Sequence, residues 1–326
     1  MLDRAKRNGK RRLLGVLGLS VAALGLASVA PGGGSGRATP ATLTRVLASA
    51  EGGDTIILAP GDYGRVTLSR RRFARPVTLD ARQARFEQLT VRGASGVVIA
   101  GGIVQSPPET LGVFIDGSDH VTVRDMTIGG ALVGITLRRS TDVVVAGNRL
   151  LGVRSDGINI GMSQRVRVER NECRDFRPVP PVFDSRGKLV KDGDHPDCIQ
   201  GWSRPGDAPT GDVTVIGNRA VGRMQGVFFN NYVRDGVDDG GYDRMVVRNN
   251  DLTLSMYNGV VLEAVRGAVV TGNIVRPEPG ARNLWWPFRP VTPWIKLIGT
   301  DIRACGNAVA AGPGQKVSSG TQPCRN

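Results

Sequence analysis

The sequence is poor in the residues that most often build a catalytic or metal centre. It has two histidines, His120 and His195, four cysteines, and aromatic residues at only 5%. Cys173, Cys198, Cys305 and Cys324 include no C-x-x-C pair, which argues against metal ligation by cysteine. No acidic stretch has EF-hand spacing. No helical period runs through the body of the chain. There is no aromatic platform and no basic cluster of the nucleic-acid-binding kind, so nucleic acid is not the expected partner.

Charge of one sign is abundant. The formal net charge is +14. Residues 1–30 join a basic segment, DRAKRNGKRR, to an apolar one, LLGVLGLSVAALGLASVA. That is the pattern of a secretory signal, with cleavage expected after Ala27; an uncleaved anchor is the alternative. This segment carries six Lys/Arg and one Asp, so about +9 remains after its loss, mostly arginine. An exported basic chain suggests an anionic partner, and an acidic polysaccharide suits that compartment. The expected location is secreted or periplasmic, the expected state a monomer with no membrane contact once the signal is cleaved. Export also permits disulfides. The separations suggest Cys173–Cys198 and Cys305–Cys324, with other pairings open.

The body of the chain is a repeat. VVIAGG (97–102), VTVRDM (121–126), VVVAGN (143–148), VRVERN (166–171), VTVIGN (213–218), MVVRNN (245–250) and AVVTGN (268–273) align. Their starts differ by 22–24 residues, except for two longer steps of 47 and 32. Alternating β-branched residues mark each unit as a short strand, ended by Asn or Gly as a turn residue. Asn148, Asn171, Asn218, Asn250 and Asn273 share one place in the repeat, which suggests a stacked amide ladder. A second strand follows in each unit: GVFIDG, GITLRR, GINIGM, CIQGWS, GVFFNN and GVVLEA. Two or three strands per 23-residue step, without helices, describe an all-β, single right-handed parallel β-helix, or β-solenoid. Ile158, Ile160, Val227, Phe229, Val260 and Leu262 are its inward set by period-two alternation.

Solenoid ends need caps. In TPATLTRVLASAEGGD, Thr39 is the expected N-cap, Pro40 the first helical residue, and Leu43, Val46, Leu47 and Ala50 one apolar face. The expected organisation is a signal peptide at 1–30, a linker at 31–38, the β-helix with its capping helix at 39–304, and a C-terminal tail or cap at 305–326. An amphipathic helix, then GDTIILAPGDYG, then VxVxxN coils resembles the right-handed parallel β-helix, pectin-lyase-like superfamily. The resemblance implies the fold. It leaves function open among lyases, hydrolases, epimerases, tailspikes and adhesins. The Arg/Lys signature of pectate lyases is not evident.

The insertions point to a site. About 18 residues within 174–196 precede the strand CIQGW; roughly 231–244 and 276–293 hold two more insertions on the same side. Long loops on a rigid scaffold often carry function. The residue before each second strand runs Leu111, Val133, Asp156, Asp197, Gln225, Asn258, changing from apolar to polar. Adjacent coils lie about 4.8 Å apart, so Asp156 and Asp197 are expected neighbours that repel and raise one pKa or recruit a cation. Asn159, Gln200, Trp202, Asn230 and Glu263 extend a polar, aromatic strip. The stretch KDGDHPDCIQ (191–200) adds His195 between Asp194 and Asp197, a candidate base. Its DHPD has the residue types, in altered order, of the DPHD motif of mannuronan C5-epimerases.

The expected catalytic set is therefore Asp156, Asp194, His195 and Asp197. Arg204, Arg234 and Tyr232 join the strip as candidate substrate-binding residues. Ca²⁺ is a candidate cofactor at Asp192, and at Asp235, Asp238, Asp239 and Asp243. The leading function is a polysaccharide lyase or epimerase acting on a uronate polymer. Such an enzyme needs a base for the C5 proton and a cation against the carboxylate. An inverting glycoside hydrolase, pairing Asp197 with Asp235 or Asp239, and a non-catalytic carbohydrate-binding β-helix are the alternatives.

Overall fold

The computed structural model describes residues 34–202, 204–231, 233–238, 240–285, 290–310 and 320–324. The expected signal segment lies outside them, as do Tyr232, Asp239, Trp286 and Phe288.

Each coil carries three short strands, and the coil strands pair in parallel with their counterparts one coil away, while two short antiparallel hairpins lie in the insertions. The VxVxx strands stack as a first sheet, for example Asp119–Arg124, Thr141–Ala146 and Gln164–Glu169. A second sheet of ten strands runs from Gly61–Asp62 to Ala308–Val309. The third is built from the expected second strands: Leu111–Asp116, Val133–Arg138, Ile158–Gly161, Asp197–Gly201 and Gln225–Asn230. The fold is a right-handed parallel β-helix. Near the end, Asn258–Thr271 and Trp294–Cys305 each run unbroken from the third sheet into the first.

The core is the stack of inward positions. Ile135, Ile158, Ile199, Val227 and Val260 form one column with no exposed surface; Ile160, Phe229 and Leu262 belong to the next. Within the second column, between Ile160 and Phe229, Gly201 leaves the space that Phe229 and Tyr242 fill: a Cβ there would lie 2.1 Å from the Phe229 ring.

The asparagine ladder is present and longer than the repeat suggests. Each Nδ2 donates to the next Oδ1 at 2.8–3.0 Å, from Asn148 through Asn171, Asn218, Asn250 and Asn273 to Asn307. The same amides donate to Val123, Val145, Val168, Val215 and Val247 carbonyls of the preceding coil. The corner therefore buries polar side chains with their hydrogen bonds made. A second ladder escapes the repeat alignment: the hydroxyls of Ser118, Ser140 and Ser163 accept the backbone N–H groups of Ala94, Ser118 and Ser140, each at 3.2 Å.

The cap differs from expectation in two respects. The helix spans Leu43–Ser49, with Thr42 rather than Thr39 at its start. Residues 40–42 form a turn in which the Thr39 carbonyl accepts from both Thr42 and Leu43. The expected linker is also shorter, because Ser35–Ala38 is a strand paired with Thr55–Leu58. Nor is the chain without a basic cluster. Arg70, Arg71, Arg72 and Arg75 surround a shallow surface hollow near the cap, where Arg71 donates to the Ala48 and Ala50 carbonyls.

Both suggested disulfides are formed, Cys173–Cys198 and Cys305–Cys324. The first is set at a recurring packing position, with Cys173 against Gly157 of the coil before it. At the corner between the second and third sheets, Leu150 lies against Gly134 and Leu252 against Gly226 in other coils. Cys173 occupies the position of Leu150, and its disulfide closes the base of the long loop. Register makes Leu151 equivalent to Arg174, and Asp156 leads the strand that pairs with the one Asp197 leads. Four residues, 152–155, thus turn the ordinary corner where 175–196 turn the enlarged one.

Candidate active site

The outer face of the third sheet carries three rows of side chains. The first leads each strand: Leu111, Val133, Asp156, Asp197, Gln225 and Asn258. The second holds Phe114, Thr136, Asn159, Gln200 and Phe228. The third holds Asp116, Arg138, Gly161 and, further on, Trp202 and the paired Asn230 and Glu263. The enlarged corner 175–196 borders the first row. Beyond the third row stand the hairpin Val233–Arg234/Val237–Asp238 and the 204–209 connection, tied together by the Gly206 N–H on the Asp238 carbonyl at 2.8 Å.

Asp156 and Asp197 meet as expected, and both are buried, with Asp197 entirely so. The Asp197 N–H donates to Asp156 Oδ1 at 3.2 Å. Asn159 Nδ2 donates to Asp156 Oδ2 at 3.1 Å and to Gln200 Oε1 at 3.0 Å, and Gln200 Nε2 donates to Asp197 Oδ2 at 2.9 Å. Asp197 Oδ1 is buried and has no hydrogen-bond partner. Burial pushes the Asp156 carboxyl up to about 6, against bonds from Asp197, Asn159 and Ser155 that pull it down. Burial, and then the neighbouring Asp156, push Asp197 well above the usual carboxylate range. A neutral Asp197 accounts for its unpaired oxygen, since an ionised one would lose far more on leaving water. At neutral pH, Asp156 is the ionised partner.

Asp156 opens on a cavity of about 390 Å³. Asn159, Gln200, Trp202, Ser155 and Arg138 line its polar end; Leu111, Phe114, Leu132, Val133 and Thr136 line the other. Arg138 went unnoticed in the sequence, where it is one arginine among many. Register puts it in the third row, and its Nε is buried without a hydrogen-bond partner. Its guanidinium lies 5.3 Å from the Trp202 ring centre, and that of Arg204 lies 4.8 Å from it. The outward alternation of GITLRR was the signal that could have singled it out.

Several expected members stand elsewhere. His195 is not oriented by Asp194 or Asp197. It is more than half exposed, stacks on Trp285 at 4.2 Å between centroids, and has Asp192 3.5 Å from Nε2. Asp194 is a strut: it accepts Arg154 Nε at 2.9 Å and the Val179 N–H at 2.8 Å, fixing the long loop to the preceding coil. Asp192, Asp194 and Asp197 therefore share no centre. Asp235 occupies a hairpin turn with φ 51°, Asp238 accepts the Gly240 N–H at 2.7 Å, and Asp243 pairs with Arg266. Among the described residues no three His, Cys, Asp or Glu side chains are grouped to hold a metal ion, so the Ca²⁺ expectation has no site there. Glu263 pairs with Lys296. The Asn230 carbonyl accepts the Tyr242 hydroxyl at 3.2 Å. Arg234 lies in the hairpin by its backbone.

No protein-family model and no curated protein matches the chain. Among solved structures it is similar to an alginate lyase from Paenibacillus sp. str. FPU-7, at 15% identity and a TM-score of 0.48, over 83% of this chain and 99% of that one. It is also similar to the catalytic domain of a GH87 α-1,3-glucanase (11%, TM-score 0.42, 88% and 66%) and to pectate lyase Pel9A (12%, TM-score 0.38, 86% and 81%). Likenesses this distant carry no argument about activity; the site's own geometry does.

Proposed function

We propose that the protein is an exported enzyme that takes the C5 proton from a uronate residue of an acidic polysaccharide, with Asp156 as base. One observation carries the reading. A carboxyl held near 6 by burial shares a cavity with a guanidinium whose Nε has no partner. A base working near neutral pH is most effective with a pKa close to it. The C5 proton becomes acidic enough only when the adjacent carboxylate is neutralised, which is the role assigned to Arg138. The proton passes to Asp156, and the electron pair is held on the carboxylate beside Arg138. Expulsion of the C4 oxygen, which takes its proton from the Asp156 carboxyl or from water, then gives the unsaturated product of a lyase; reprotonation of C5 by water from the opposite face gives the product of an epimerase. Asp197 is a positioning residue that orders Asp156 through its N–H.

The hydrolytic alternative is less well supported. Its expected pairing of Asp197 with Asp235 or Asp239 needs Asp197 to reach a substrate, and Asp197 has no exposed surface; Asp156 and Asp197 lead strands only roughly 4.8 Å apart, against the roughly 6.5–9.5 Å an inverting pair needs to admit water. The test is incubation with polymannuronate, polyguluronate, polygalacturonate and polyglucuronate. New ultraviolet absorbance marks elimination, and altered C5 stereochemistry without cleavage marks epimerisation. New reducing ends without absorbance would overturn the proposal in favour of hydrolysis. If no polymer is altered, the catalytic reading falls.

A further inference from the structure

The cavity beside Asp156 is polar at one end only. Arg138, Asp156, Asn159 and Gln200 supply charge and amides there. The other end is formed by the side chains of Leu111, Leu132 and Val133, with Phe114 beside them, all partly exposed. These are neighbours by construction: Leu111 and Val133 occupy the first row in the two coils before Asp156, and Leu132 directly precedes Val133. An unsubstituted sugar would bring several hydroxyl groups against this wall, where the Thr136 hydroxyl could partner one of them and the rest would exchange water for the apolar surface of Leu111, Leu132 and Val133. Nor do the aromatic rings offer two free faces for a sugar to stack on. The Arg92 guanidinium lies 5.6 Å from the Phe114 ring centre, and Trp202 has Arg138 and Arg204 against it.

We propose that the apolar end is a subsite for an O-acyl substituent, so that the preferred substrate is an acetylated polyuronate. The inference rests on the functional reading above. The acyl methyl lies against Leu111, Leu132 and Val133, while the uronate carboxylate of the same unit faces Arg138. Such a group replaces hydroxyls that the wall cannot satisfy with a methyl that it can bury. Burial of one methyl-sized group gives a preference of about three- to tenfold.

The test uses the protein and matched pairs of polymannuronate, polyguluronate, polygalacturonate and polyglucuronate, each untreated or chemically O-acetylated. Titration calorimetry measures affinity and initial rates measure turnover. The acetylated form of whichever polymer is recognised should bind about three- to tenfold more tightly. Leu132→Asn and Val133→Asn should each bring that ratio towards one, with thermal unfolding confirming that both variants are folded. Equal affinity of wild type for the two forms of a recognised polymer overturns the acyl subsite and leaves the functional reading standing. A preference that survives both substitutions also overturns it. If neither form of any polymer is bound, the functional reading itself fails, and this inference fails with it.

Discussion

Asp156 and Asp197 differ in what their surroundings allow. Asp156 lines a cavity and accepts three hydrogen bonds, from Asp197, Asn159 and Ser155. Asp197 has no exposed surface. Asp156→Asn should therefore lower turnover by about 10²–10⁴-fold, as expected for loss of a general base. In wild type, kcat/KM should rise with pH through about 6, because only the ionised carboxylate accepts the proton. A rate that is flat from pH 5 to 7 would remove Asp156 from the role. His195→Ala should change turnover by less than about tenfold, since its ring stacks on Trp285 and a base contributes about 10²-fold or more. The same carboxyls govern stability. Both pKa values are raised in the folded state, so it holds more protons than the unfolded chain between about 4 and 6. Stability should fall as pH rises through that window, by on the order of 1–3 kcal/mol for Asp156. Urea titrations across pH should show that slope, and Asp156→Asn should flatten it.

At the scale of elements, the sequence revealed what repeats and concealed what does not. The Asn of VxVxxN is legible because one amide per coil can satisfy the next, and repetition imposes the same residue each time. The change from Leu111 and Val133 to Asp156 and Asp197 was legible for the same reason: a fixed register turns sequence spacing into adjacency. His195 and the acidic loops were misread because an insertion has no register. Asp194 reaches Arg154, 40 residues earlier, rather than its neighbour His195. Arg138 stayed hidden because an unpaired guanidinium is a property of its surroundings, and the sequence shows only another arginine. The ladder also predicts a cost. Asn218 receives from Asn171 and donates to Asn250, so Asn218→Ala leaves buried groups without partners. The expected loss is about 1–3 kcal/mol for each group stranded, read as a lower urea midpoint with an unchanged slope.

For the whole molecule, the basic balance of the chain, +14 in all, implies that binding to an acidic polymer weakens as salt is added. Affinity measured from low to physiological ionic strength should fall steadily, and a flat response would point to recognition without an ionic contribution. The Cys173–Cys198 bridge bears on the molecule's history and its engineering. It joins the core on either side of residues 175–196, at a corner that other coils turn with three to five residues. Much of the segment is exposed, but Phe176, Pro178 and Pro196 are buried, Asp194 is tied to Arg154 and His195 stacks on Trp285. The bridge thus acts as a socket, into which a segment of different length and chemistry could be exchanged while the coils above and below keep their register. Replacing 179–193 with a short Gly-Ser connection should leave a folded solenoid, with circular dichroism and the unfolding midpoint little changed. What should alter is which polymers the protein accepts, so that specificity is inherited by cassette while the scaffold is kept.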